Sequence, residues 1–70
     1  MSGAKHYSIN IQWSERDQAY IANVPELPGC KTHGDTYKET LNNILEVIEL
    51  WIEAAKEAGE TIPQPQIMAA

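Results

Sequence analysis

From Tyr37 to Ala58 the chain contains neither glycine nor proline, and Gly59 follows directly. In a protein of 70 residues a run of that length can be accommodated only as one long helix, since a strand so long would find no partner of matching length. Thr36-Tyr37-Lys38-Glu39 reads as a capping box, in which the Thr36 hydroxyl and Glu39 carboxylate satisfy backbone donors at the helix start; Asp35 is the rival cap. Gly59 stands where a helix C-terminus favours a left-handed residue. At about 100° per residue, Tyr37, Leu41, Ile44, Leu45, Ile48, Trp51, Ile52 and Ala55 form a stripe suited to a sheet. Asn42, Glu46, Glu49, Glu53, Lys56 and Glu57 form the solvated side. A second set, Val47, Leu50, Ala54 and Ala58, lies beside the stripe and widens the apolar arc to roughly 220°, where a helix on a single sheet needs about 100°.

The residues before the helix have the other periodicity. His6 to Trp13 alternates, with Tyr7, Ile9, Ile11 and Trp13 on one face and His6, Ser8, Asn10 and Gln12 on the other, as in a half-buried strand. Ser14-Glu15-Arg16-Asp17 is a polar connector, and Gln18 to Val24 is a second strand that stops at Pro25, so the two runs read as a hairpin. The pattern does not decide which face of the second strand is inward. Pro28-Gly29 fits the central positions of a type II turn, where proline presets φ and glycine accepts a positive φ. Cys30 to His33 can return as a short third strand, and Gly34 permits a sharp corner before the helix. After Gly59, two prolines favour an extended tail, in which Ile62, Ile67 and Met68 could pack or add a fourth edge strand. The expected architecture is α+β, a three-stranded antiparallel sheet on one long helix, in a single domain over 1–70 with 1–5 and 66–70 disordered.

A three-stranded sheet with one helix cannot cover both helical stripes, so Val47, Leu50, Ala54 and Ala58 are expected to form a protein interface, the alternative being a wrapping N-terminal strand or a folded-back tail that covers them within the monomer. A core this small has a thin margin of stability, which makes a homo-oligomer, dimer or tetramer, the default. The net charge is −5 and six of the ten acidic residues lie from Glu39 onward, against Lys56 alone. Such a field repels phosphate backbones and attracts basic proteins, so direct nucleic-acid binding is not expected. One cysteine builds no disulfide framework, residues 1–5 lack the apolar segment of a signal peptide, and no run is long enough to span a membrane. A cytoplasmic protein is the simplest reading.

Chemistry has few candidates. Cys30 and His33 are the obvious pair for a thiolate and imidazole or half a zinc site, but residues three apart in a strand face opposite sides, and Cys30 reads better as a small buried apolar residue. Glu46, Glu49 and Glu53 share one helical face at spacings of three and four, where hydration is expected rather than the desolvated cleft that acid–base work requires. There is no glycine-rich phosphate loop. No cofactor, metal or catalytic residue is expected, and Trp13 and Trp51 sit at core-compatible positions.

Taken together, W13-S-E-R-D-Q-A-Y-I-A, V24-P-E-L-P-G-C, T32-H-G-D-T and W51-I-E-A-A-K-E-A-G-E-T-I-P-Q-P resemble the HicB-like antitoxin family, from about Tyr7 to Pro65. The resemblance implies a partial ribonuclease H fold, β-β-β-α with an optional last strand. It also implies a non-enzymatic role: neutralising HicA-type toxins, small basic ribonucleases with a double-stranded-RNA-binding-like fold and a catalytic histidine, by covering their active surface. Active ribonuclease H enzymes hold two metal ions with carboxylates that include one on the first strand, and His6 to Trp13 contains no Asp or Glu. Gln18 stands where the family commonly has a turn glycine and Thr40 where it commonly has alanine. Many relatives append a DNA-binding segment, and with the chain ending at Ala70 a stand-alone domain without operator binding is expected. The alternative is a non-catalytic binding or scaffold module with no toxin partner.

Overall fold

The computed structural model describes residues 6–69. Three strands, β1 (Asn10–Ser14), β2 (Ala19–Asn23) and β3 (Lys31–Gly34), precede one helix, α1 (Tyr37–Glu57). The strands form a single antiparallel sheet in the order β1-β2-β3, so the expected α+β architecture is the one observed.

Local chemistry accounts for the connections. At the β1–β2 turn Ser14 Oγ accepts from the Asp17 N–H and donates to its carboxylate, while Gln18 sits in the left-handed region at φ 51°. From Val24 to Cys30 the chain makes two successive turns, each with proline in second position: Leu27 N–H donates to Val24 O, and Cys30 N–H to Leu27 O. Gly29 takes φ +78° in the second of them, as a type II turn requires. The Val24 N–H then closes the loop on Cys30 O.

The helix ends as its residues dictate. Thr36 is the N-cap and its side chain accepts from the Glu39 N–H; the Glu39 carboxylate reaches back to the N–H of Asp35, one residue before the cap. At the other end Glu60 N–H donates to Ala55 O and Gly59 N–H to Lys56 O. With Gly59 at φ +74°, this is a Schellman motif.

Register settles the inward face. Ile11 lies opposite Ala22 and Trp13 opposite Tyr20, and Ala22, Val24, Leu27, Cys30, Ile44, Ile48 and Ile52 form the buried core. Tyr20, Ala22 and Val24 therefore face the helix, and Gln12, Ile21 and His33 line the open face. Tyr7, Ile9, Ile11, Val47, Trp51 and Ile62 close around the core, and Trp51 Nε1 donates to Pro28 O.

Several expectations are corrected. β1 pairs only from Asn10, because β2 ends at Asn23 and the chain then turns through Pro25, which has no N–H to offer a ladder. No strand forms among residues 60–69. Of the helix stripe assigned to the sheet, Tyr37 is 63% exposed and Leu41 40%, and Trp13, read as core-compatible, is 45% exposed. The helix lies chiefly over β2 and β3, so its β1 flank is left uncovered. Gly34 is needed less for a corner than for contact: a Cβ there would lie 2.6 Å from Thr40 Oγ1 and 2.9 Å from Thr40 N. The disorder expected at 1–5 and 70 falls outside the described residues.

Candidate functional site

Cys30 closes the Val24–Cys30 loop, whose backbone hydrogen bonds fold it against the sheet. Cys30 is buried in the core, and burial pushes its thiol pKa up, away from the thiolate that nucleophilic or metal chemistry uses. His33 is exposed on the open face of the sheet, opposite Ile21, so the structure does not bring the two together. Among the described residues no three His, Cys, Asp or Glu side chains converge as a metal site would require.

Glu26 in the same loop is the residue that sequence reasoning missed. It is only 9% exposed. Its carboxylate accepts from Ser8 N–H at 3.2 Å, Ser8 Oγ at 2.9 Å and Gln66 N–H at 2.9 Å, which ties the segment before β1 and the C-terminal tail to one loop. Nearby, Tyr7 donates its hydroxyl to the Pro63 carbonyl. Burial alone would push the Glu26 pKa up; the hydrogen bonds from Gln66, its own backbone and Ser8 outweigh this and hold it below the usual carboxylate value. The signal in the sequence was a lone acid between two prolines in an otherwise apolar loop.

On the surface, two apolar patches flank the helix. On the first flank Leu50 is 61% exposed, Ala54 and Ala58 are exposed, and Val47 is half-buried against the core. Asn43, which shares this flank by helical spacing, donates its Nδ2 to His33 O, placing the flank on the β3 side. Glu46, Glu49 and Glu53 border Leu50 on its outer side, in a shallow depression that Asn42, Asn43 and Leu45 also line. The second patch lies on the β1 side. Trp13 meets Tyr20 edge-on at 5.0 Å between ring centroids, and Tyr20 packs on Tyr37 at 4.2 Å, with Leu41 one turn further along the helix. No described helix is long and apolar enough to cross a membrane.

The family model for HicB-like antitoxins of bacterial toxin-antitoxin systems matches residues 7–70. A UPF0150 protein of Thermoplasma acidophilum is 50% identical over 58 residues, 83% of this chain and 83% of that protein. A UPF0150 protein of Synechocystis is 35% identical over 63 residues, 90% of this chain and 78% of its own length. One from Thermotoga maritima is 32% identical over 65 residues, 93% of this chain and 83% of its length. No solved structure matches the chain.

Proposed function

Because the chain belongs to the HicB-like antitoxin family of bacterial toxin-antitoxin systems, we propose that it binds and neutralises a small basic ribonuclease toxin of the HicA type. It does so in the cytoplasm, by protein–protein contact and without catalysis of its own. The observation that carries this reading is Leu50 standing 61% exposed among Glu46, Glu49 and Glu53. An apolar anchor bordered along one side by acid alone fits a partner of the opposite sign: the carboxylates steer encounter, and desolvation of Leu50, Val47, Ala54 and Ala58 slows dissociation. The net charge of −5 extends the steering field beyond the patch. By resemblance the scaffold is a ribonuclease H fold without its metal centre, and β1 carries no carboxylate.

Co-expression with a small basic protein encoded in the adjacent reading frame tests the proposal. The expected result is a complex that survives purification, relief of growth inhibition, and loss of the partner's RNA cleavage when the two are mixed. If the neighbouring protein arrests growth and this chain neither binds nor rescues, the proposal fails.

A further inference from the structure

The sheet has two edges, and they are finished differently. β3 carries Lys31, and its His33 carbonyl is occupied by the Asn43 side chain at 2.9 Å; a lysine and a covering side chain are among the devices that keep an edge from pairing further. β1 has neither. From His6 to Ser14 the sequence contains no Asp, Glu, Lys, Arg or Pro. Among the described residues no main-chain group of Asn10–Ser14 bonds to anything but β2. On the helix side of this edge Trp13 packs against Tyr20, which in turn packs on Tyr37; Trp13, Tyr37 and Leu41, one helical turn on from Tyr37, are all substantially exposed. An open, uncharged strand thus runs beside an apolar ledge that the helix, seated chiefly over β2 and β3, leaves uncovered.

We propose that β1 pairs antiparallel with the same strand of a second copy, about a two-fold axis through Gln12, to make one continuous sheet with both helices on the same face. This register sets Ile11 opposite the partner's Trp13 on the helix side. On the open side, Asn10 meets the partner's Ser14. Apolar residues meet apolar and polar meet polar, so the strand is complementary to itself, as a two-fold contact requires. Charge selects a second copy as the occupant. Two molecules of net charge −5 approach with least repulsion where acid is fewest: β1 itself carries none, and the carboxylates next to it, Glu15 and Asp17, are engaged by Trp13 Nε1 and Ser14 Oγ, each at 3.1 Å; a two-fold contact through Leu50 would set Glu46, Glu49 and Glu53 against their own counterparts. The contact uses the flank of the helix opposite to Leu50, so it stands whether or not the toxin reading does.

Sedimentation equilibrium of the purified full chain over a range of concentrations tests this. The expected mass is twice that of a protomer. Trp13→Lys should raise the dissociation constant at least tenfold with circular dichroism unchanged, and Leu50→Lys should leave it unaltered. Because a variant at Trp13 could disturb the fold, Gln12→Cys provides a second arm. Residues directly opposite in an antiparallel pair have Cβ atoms about 4.5–5.5 Å apart, near disulfide range, so mild oxidation should give a covalent dimer that reductant reverses. Glu49→Cys should give none, and the buried Cys30 contributes nothing. A protomer mass at every concentration overturns the proposal. So does a dimer that persists in folded Trp13→Lys, or one in which Gln12→Cys fails to cross-link.

Discussion

The Glu26 carboxylate accepts the backbone N–H of Gln66 at 2.9 Å across 40 positions of sequence, while the same group holds Ser8. One buried acid therefore fastens both ends of the described chain to the loop between β2 and β3. Hydrogen bonds to a charged acceptor are stronger than neutral ones, and removing the acceptor strands its donors. Glu26→Ala should lower unfolding free energy by about 2–3 kcal/mol, read from urea denaturation, and should expose the 62–66 segment to proteolysis.

The same carboxylate gives stability a pH dependence. Its pKa is lower in the folded protein than the ordinary value, so the unfolded chain binds the proton more readily. Its contribution is complete above the unfolded carboxylate pKa of about 4.3 and is lost as pH falls through the folded value. The stability difference between wild type and Glu26→Gln should be flat from neutral pH down to about 5 and shrink in more acid solution. A difference that grew toward acid would contradict the assignment.

Gly34 is where the sheet and the start of the helix touch. With 2.6 Å between a built Cβ and Thr40 Oγ1, and 2.9 Å to Thr40 N, Gly34→Ala must push the first helical turn off the sheet. Because Thr40 is itself fully buried and bonded to Thr36 O, it has little room to give. A loss of about 1–3 kcal/mol is expected, visible as a lower thermal midpoint.

Gln18 offers the opposite change. It occupies a left-handed conformation that costs a residue with a Cβ roughly 1–2 kcal/mol. Gln18→Gly removes that strain at the cost of an exposed side-chain bond to Glu15 O and added freedom in the unfolded chain. A net gain of about 0.5–1 kcal/mol should appear in chemical denaturation.

At the Leu50 patch, charge and apolar contact should separate in kinetics. Glu49→Lys with Glu53→Lys should slow association with the basic partner, an effect that fades as salt is added. Leu50→Ala should act mainly on dissociation. Surface-immobilised partner and stopped-flow mixing distinguish the two.

The helix, its caps, the Pro28–Gly29 turn and the two alternating strands were legible because each depends on residues within a few positions of one another. Thr36 finds Glu39, and Gly59 lets Glu60 reach Ala55, with no help from the rest of the molecule. Leu27 was not legible. It lies in a loop without periodicity, yet it is among the most deeply buried side chains because the two proline turns fold it under the helix. Nor was the exposure of Tyr37 and Leu41, whose spacing is as regular as that of Ile44 and Ile48.

Backbone sterics and near-neighbour hydrogen bonding thus determined from sequence alone which elements exist and where the helix begins and ends. The tertiary structure decided which apolar residues are covered, because that depends on where a helix of given pattern comes to rest across the sheet. Seated over β2 and β3, α1 buries Ile44, Ile48 and Ile52, leaves Trp13 and Leu50 uncovered on opposite flanks, and brings a tail back to Glu26. Hydrophobic periodicity specifies a face but not its neighbour, and a long-range hydrogen bond leaves no periodic trace in the chain.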